Sequence, residues 1–170
     1  MPVCIKIFTT GGTIDKVYFD AQSDYKVGDP QANEILRNVG VTVEVEVETL
    51  LRKDSLDLTD EDRALIAERV RTDSARRILV THGTDTMAET ARSLGDTGDK
   101  TVVFVGSLSP ARFKGTDAEF NIGFAMAAVQ LLPPGAYVAM NGRVFRAEEV
   151  IKNRAANRFE GDSYHPDAAS

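Results

Sequence analysis

The chain has 170 residues, 42% of them hydrophobic and 27% charged, the balance of one soluble globular domain with its own core. A net charge of −6 argues against a nucleic-acid surface, which needs a basic patch to release counterions. No run reaches the length of a membrane helix, the N-terminal "MPVCIKIF" carries no leader pattern, and the single cysteine permits no intramolecular disulfide, so a soluble cytoplasmic protein is the expectation.

In chain order, "VCIKIFT" reads as a first strand, with Cys4 in its apolar run expected to be a small buried hydrophobe. "YFDAQSDYKVGDP" is polar and turn-rich, a loop long enough to be a lid. "PQANEILRNV" is a short helix with proline at its start. "VTVEVEVETL" alternates strictly and puts Glu44, Glu46 and Glu48 on one face, which predicts a half-exposed strand near a sheet edge. Thr59 and Asp62 form a capping-box pattern for a helix from Asp60 to about Arg71. "RRILVTH" is the next strand, and Thr86 with Glu89 predicts a second box opening a helix at Met87. "KTVVFVGS" is a further strand. Thr116 with Glu119 predicts a third box, starting the long helix "DAEFNIGFAMAAVQLL", which "PPG" stops. "AYVAMNGRVFRA" reads as strand, Asn-Gly turn and short strand, and residues 161–170 as a mobile tail.

This alternation predicts an α/β fold: three layers, doubly wound, with a mostly parallel sheet and helices on both faces. Ligands bind at the carboxyl ends of the strands in such sheets. The segments there, "TTGGT", "LLRKDSLD", "THGTDT" and "GSLSPARFKGTD", are rich in hydroxyls, glycines or charges. Taken alone, "TTGGTI" reads first as a tight turn, and neither nucleotide-binding fingerprint is present. "THGTDT" is more specific, because it follows a buried strand and leads into a helix whose free N–H groups favour negative charge. With Thr86 assigned to the cap, Thr84 and Asp85 have spare hydrogen-bonding capacity. His82 has no second histidine within the folded region and is expected to be structural, so no metal site is expected.

"TTGGTI" after the first strand and "THGTDTMAETA" after the third resemble the two signature motifs of the bacterial-type L-asparaginase family. Between them "KDSLDLT" resembles the family's serine segment, "SDYKVG" the tyrosine of its lid loop, and "VAMNGRVFRAEEVIK" the strand, turn and lysine that follow. The five matches run in order from about residue 5 to 152. The resemblance implies the flavodoxin- or Rossmann-like N-terminal domain of that family over residues 1–160. It also implies hydrolysis of the side-chain amide of L-asparagine to L-aspartate and ammonia, without cofactor or metal. Carried over by position, Thr10 is the nucleophile that forms an acyl-enzyme and Tyr25 its lid partner. Thr84, Asp85 and Lys152 form the second catalytic group. Gly11, Ser55, Gly83, Thr84 and Asp85 hold the substrate, with Asp85 pairing its ammonium and Ser55 its carboxylate. Thr9 points to the other side of the strand and is expected to be structural.

The chain departs from the family pattern in two places. The family's second domain is expected to be absent, and with it an acidic group that a neighbouring subunit places near the lid tyrosine; Glu148, Glu149 and Glu160 are candidates to replace it from a partner chain. Leu56 stands where the family usually has a polar side chain, which is expected to loosen substrate contacts or shift the choice between asparagine and glutamine; the less enclosed site is expected to give a high KM. A homo-oligomer, dimer or tetramer, is expected, with no nucleic-acid or membrane partner. The alternatives are a glutaminase, an amidotransferase-type amidase, or a module that binds an amino acid without turning it over.

Overall fold

The computed structural model describes residues 4–18 and 25–168. The central sheet has six strands in the order β4 (Glu44–Lys53), β1 (Cys4–Gly11), β5 (Arg77–Thr81), β6 (Thr101–Val105), β7 (Gly135–Met140) and β8 (Arg143–Arg146). All neighbours are parallel except β7 and β8, which the Asn141-Gly142 turn joins antiparallel. The positive φ values of both turn residues, 48° and 86°, suit that two-residue connection. Chain direction reverses between β4 and β5, on either side of β1. The carboxyl end of β1 is therefore the topological switch point, where such sheets bind ligands.

The inner strands are apolar on both faces, as expected of a parallel sheet covered twice. Every residue of β6 is buried, and the helices packed against it are α3 (Met87–Ser93) and α4 (Ala118–Leu131). These two must lie on opposite faces. Helix α2 (Asp60–Thr72) packs with α3, and α1 (Ala32–Asn38) with α4. The crossovers through α3 and α4 step the same way along the sheet yet use opposite faces, so their hands differ. With α1, α2 and α3 taking the usual right hand, α4 takes the left, an exception to a strong rule.

Only one of the three predicted capping boxes forms. Thr59 Oγ1 accepts from Asp62 N at 3.2 Å, and Asp62 Oδ2 accepts from Thr59 N at 3.0 Å, starting α2 as expected. Thr86 precedes α3 but donates its hydroxyl to Ser55 O at 2.8 Å instead. Thr116 donates to Ser109 O, and α4 begins after Asp117. Thr116 Oγ1 also accepts from Ala118 N at 3.1 Å, a turn bond and not the predicted box.

Cys4 is exposed, not buried, because it opens β1 at the sheet rim. Partial desolvation by its surroundings and the nearby Glu44 and Glu46 carboxylates hold its thiol above the usual range. The glutamate stripe on β4 has a partner that the alternation did not reveal. Lys6 of β1, 4% exposed, sends Nζ to Glu46 at 2.7 Å, Glu48 at 2.9 Å and Asp73 at 3.6 Å. Removing the ammonium leaves those carboxylates facing one another, so Lys6→Met is expected to cost about 3 kcal/mol of stability in a urea titration.

The lid segment begins and ends as a hairpin, β2 (Lys16–Tyr18) paired antiparallel with β3 (Tyr25–Val27). A second hairpin, β9 (Ile151–Asn153) with β10 (Arg158–Glu160), was not anticipated. Of the stretch read as a mobile tail, Gly161 to Tyr164 is fastened to β8. Arg143 donates to Gly161 O and Ser163 Oγ, and Tyr164 N donates to Val144 O at 2.7 Å.

Candidate active site

The loops after β1, β4 and β5 meet at the switch point with almost no side-chain material between them. Gly11 and Gly12 have φ of 103° and 89°. A Cβ on Gly12 would lie 2.4 Å from the Cα and N of Gly83, and one on Gly83 would lie 2.6 Å from Ser55 Cβ. Gly12 N also donates to Lys53 O at 2.9 Å, pinning the first loop to the end of β4. The glycines of "TTGGT" and "THGTDT" thus serve direct backbone contact between the two loops.

Thr10 is the penultimate residue of β1. Its buried hydroxyl donates to Thr81 O of the neighbouring strand at 2.7 Å. Thr9 points to the other face, where its hydroxyl meets Thr49 Oγ1 at 3.1 Å. Thr84 lies one residue beyond the Gly12–Gly83 contact. Its Oγ1 accepts from Lys152 Nζ at 2.7 Å, and that ammonium stands 3.6 Å from Asp85 Oδ1.

Lys152 arrives on β9, from outside the main sheet. Its side chain is 3% exposed and its Nζ lies 5.4 Å from the centre of the Phe159 ring, directly across the hairpin. Burial pushes the Lys152 ammonium below the usual lysine range and Arg154 adds to this, while Asp85 opposes it. The Asp85 side chain is 35% exposed. A buried lysine, a threonine hydroxyl hydrogen-bonded to it and a carboxylate beside it are the residue types that proton transfer requires.

The structure thus brings together Thr10, Gly11, Ser55, Gly83, Thr84, Asp85 and Lys152. The backbone of Tyr25 is in β3 opposite Tyr18, and its side chain lies outside the described residues. Ser55 is buried against Gly83, whereas Leu56 beside it is 57% exposed.

His82 is structural, as expected. Its ring is fully buried, with Nδ1 2.6 Å from Gly83 O and Nε2 2.9 Å from Thr90 Oγ1. Burial pushes it down to about 4, so it stays neutral while the loop is seated. The unfolded chain binds the proton first on acidification. The stability His82 contributes is therefore present above pH 6.5 and is lost as pH falls toward 4. Its size is about 3 kcal/mol, and the difference between denaturant titrations of wild type and His82→Gln should show it.

Asp117 was missed. Its carboxylate accepts from Leu108 N, Ser109 N, Asn121 Nδ2 and Asn141 Nδ2. It ties the loop after β6 to the β7–β8 turn. The i,i+4 spacing of Asp117 and Asn121 was the available signal.

Fold and site together define the class: a doubly wound α/β protein with a two-threonine site at its switch point. The family profile "Asparaginase, N-terminal" matches residues 4–166, and the chain belongs to the asparaginase family. A probable periplasmic L-asparaginase of Haemophilus influenzae is 31% identical across 94% of this chain and 50% of its own length. A glutaminase-asparaginase of Acinetobacter glutaminasificans is 32% identical across 72% of this chain and 38% of its own. The structure of the thermostable L-asparaginase from Thermococcus kodakarensis superposes with a TM-score of 0.82 at 27% identity, over 96% of this chain and 52% of that one. The chain spans about half the length of the relatives it matches.

Proposed function

We propose that this chain hydrolyses the side-chain amide of L-asparagine to L-aspartate and ammonia. The observation that carries the reading is the Lys152–Thr84–Asp85 unit, seated one residue from the backbone contact that joins its loop to the loop of Thr10.

In this reading Thr10 Oγ1 attacks the amide carbon, and its proton leaves for a base, since a free hydroxyl is a poor nucleophile. Amide N–H groups around Gly11, Gly83 and Thr84 stabilise the oxyanion. The departing amide nitrogen takes up a proton and leaves as ammonia. Water, activated through Thr84 and Lys152, then hydrolyses the ester on Thr10. Asp85 pairs the substrate ammonium, Ser55 and nearby amides hold its carboxylate, and Tyr25 completes the site from the hairpin.

The experiment is ammonia release from asparagine, with Thr10→Ala and Thr84→Val as controls. Wild-type rates in both variants would exclude the mechanism. Asparagine binding in a calorimeter without ammonia release would instead identify a binding module. A second substrate, glutamine, is kept open by the exposed Leu56 beside Ser55, an apolar side chain that offers the substrate no hydrogen bond. The ratio of rates on glutamine and asparagine measures that directly.

A further inference from the structure

A buried carboxylate that the proposed chemistry does not use lies at the foot of the β2–β3 hairpin. Asp15 follows Thr10 by five residues, closes the short 3₁₀ turn after Gly12, and is 2% exposed. Both of its hydrogen-bonding ends reach across to where the chain leaves the hairpin. The main-chain carbonyl accepts from Gly28 N at 2.7 Å, and Oδ1 accepts from Gln31 N at 2.9 Å. The other carboxylate oxygen, Oδ2, is buried and has no partner. The loop after β6 closes over the same point. Arg112 donates to Asp15 O at 3.1 Å and to Asp29 O at 3.4 Å, and Ala111 N donates to Ile14 O at 3.1 Å.

We infer that Asp15 is a positioning residue for the threonine site: its carboxyl latches the exit of the hairpin that carries Tyr25 to the turn that carries Thr10. The inference rests on the reading of Thr10 and Tyr25 given above. The backbone pair to Gly28 fixes the hairpin's first rung, while the Gln31 contact fixes the angle at which the chain departs toward α1. A buried carboxyl is a costly choice for this task, since an unpartnered oxygen on a charged group is destabilising. What it supplies is a latch sensitive to protonation. Burial pushes Asp15 up to about 7, against the Gln31 N–H and the charges of Arg112 and Arg52. The other charges at this place are Asp29, held by Arg52 at 2.7 Å, and Lys16, held by Asp54 at 2.7 Å. Below pH 7 the latch is neutral and seated. Above it, a buried negative charge strains the hairpin foot.

The test compares wild type, Asp15→Asn and Asp15→Leu. The first substitution keeps an acceptor without charge; the second removes the acceptor. KM and kcat for asparagine are measured from pH 5.5 to 8.5, and amide exchange of Gln31 and Gly28 is followed by NMR. Asp15→Leu is expected to raise KM about tenfold at every pH with kcat changed less than about twofold, the loss expected for one binding-side hydrogen bond. Wild-type KM and Gln31 exchange are expected to rise severalfold relative to Asp15→Asn as pH passes about 7. Identical pH profiles for wild type and Asp15→Asn would overturn the inference, as would an Asp15→Leu enzyme with wild-type KM. If Asp15→Leu fails to fold, the comparison with Asp15→Asn decides alone. A wild-type protein that releases no ammonia defeats the functional reading, and Gln31 exchange then still decides whether Asp15 is the latch.

Discussion

Lys152→Met is expected to lower kcat/KM for asparagine about a thousandfold, as is Thr84→Val, with the double variant no worse than either single one. If the 2.7 Å contact joins the lysine and threonine in one proton transfer, as proposed, a broken unit cannot be broken twice. Methionine retains the stem on Phe159, so the hairpin keeps its packing, and Asp85 is exposed enough to lose its partner at little cost. Thermal melting should therefore move by a few degrees at most. The pH profile carries a second signature. Burial lowers the Lys152 ammonium, so wild-type kcat/KM should rise with pH at values below the usual lysine range, as the free amine appears. The methionine variant should lack that limb. Additive losses in the double variant would show that the two side chains act separately.

The second large effect concerns stability. Gly12→Ala is expected to cost about 4 kcal/mol and to lower the melting temperature by about 10 °C. Its Cβ would fall 2.4 Å from the Gly83 backbone, which cannot rotate away as a flexible side chain can, and φ of +89° is strained for any L-residue besides. The control is Gly123→Ala. That glycine lies within α4, exposed, with nothing within 4 Å of the added carbon, and gains up to about 1 kcal/mol from better helix propensity. Opposite signs for the two substitutions would show that backbone contact, rather than glycine content, holds the loops together.

These glycines also show how far the sequence could be read. The alternation of strands and helices, the β4 edge strand and the α2 cap are local patterns, and each formed as expected. The threonine and glycine motifs were legible because strand ends in a parallel sheet converge, so position along the chain implied proximity in space. What could not be read depends on distant partners. Thr86 and Thr116 carried capping patterns that did not form; their hydroxyls instead donate to Ser55 O and Ser109 O. The β9–β10 hairpin is three residues a strand, too short to show alternation, yet it delivers Lys152. Asp15 carried no signal in the sequence, since its burial is supplied by Gly28, Gln31 and Arg112 from elsewhere in the chain.

The reversed hand of the α4 crossover has a consequence for how the molecule assembles. A chain that placed α4 on the commoner side could pair the same strands in the same order. It would be a topological isomer, with the sheet intact but the loop after β6 carried away from Ile14, Asp15 and the hairpin foot.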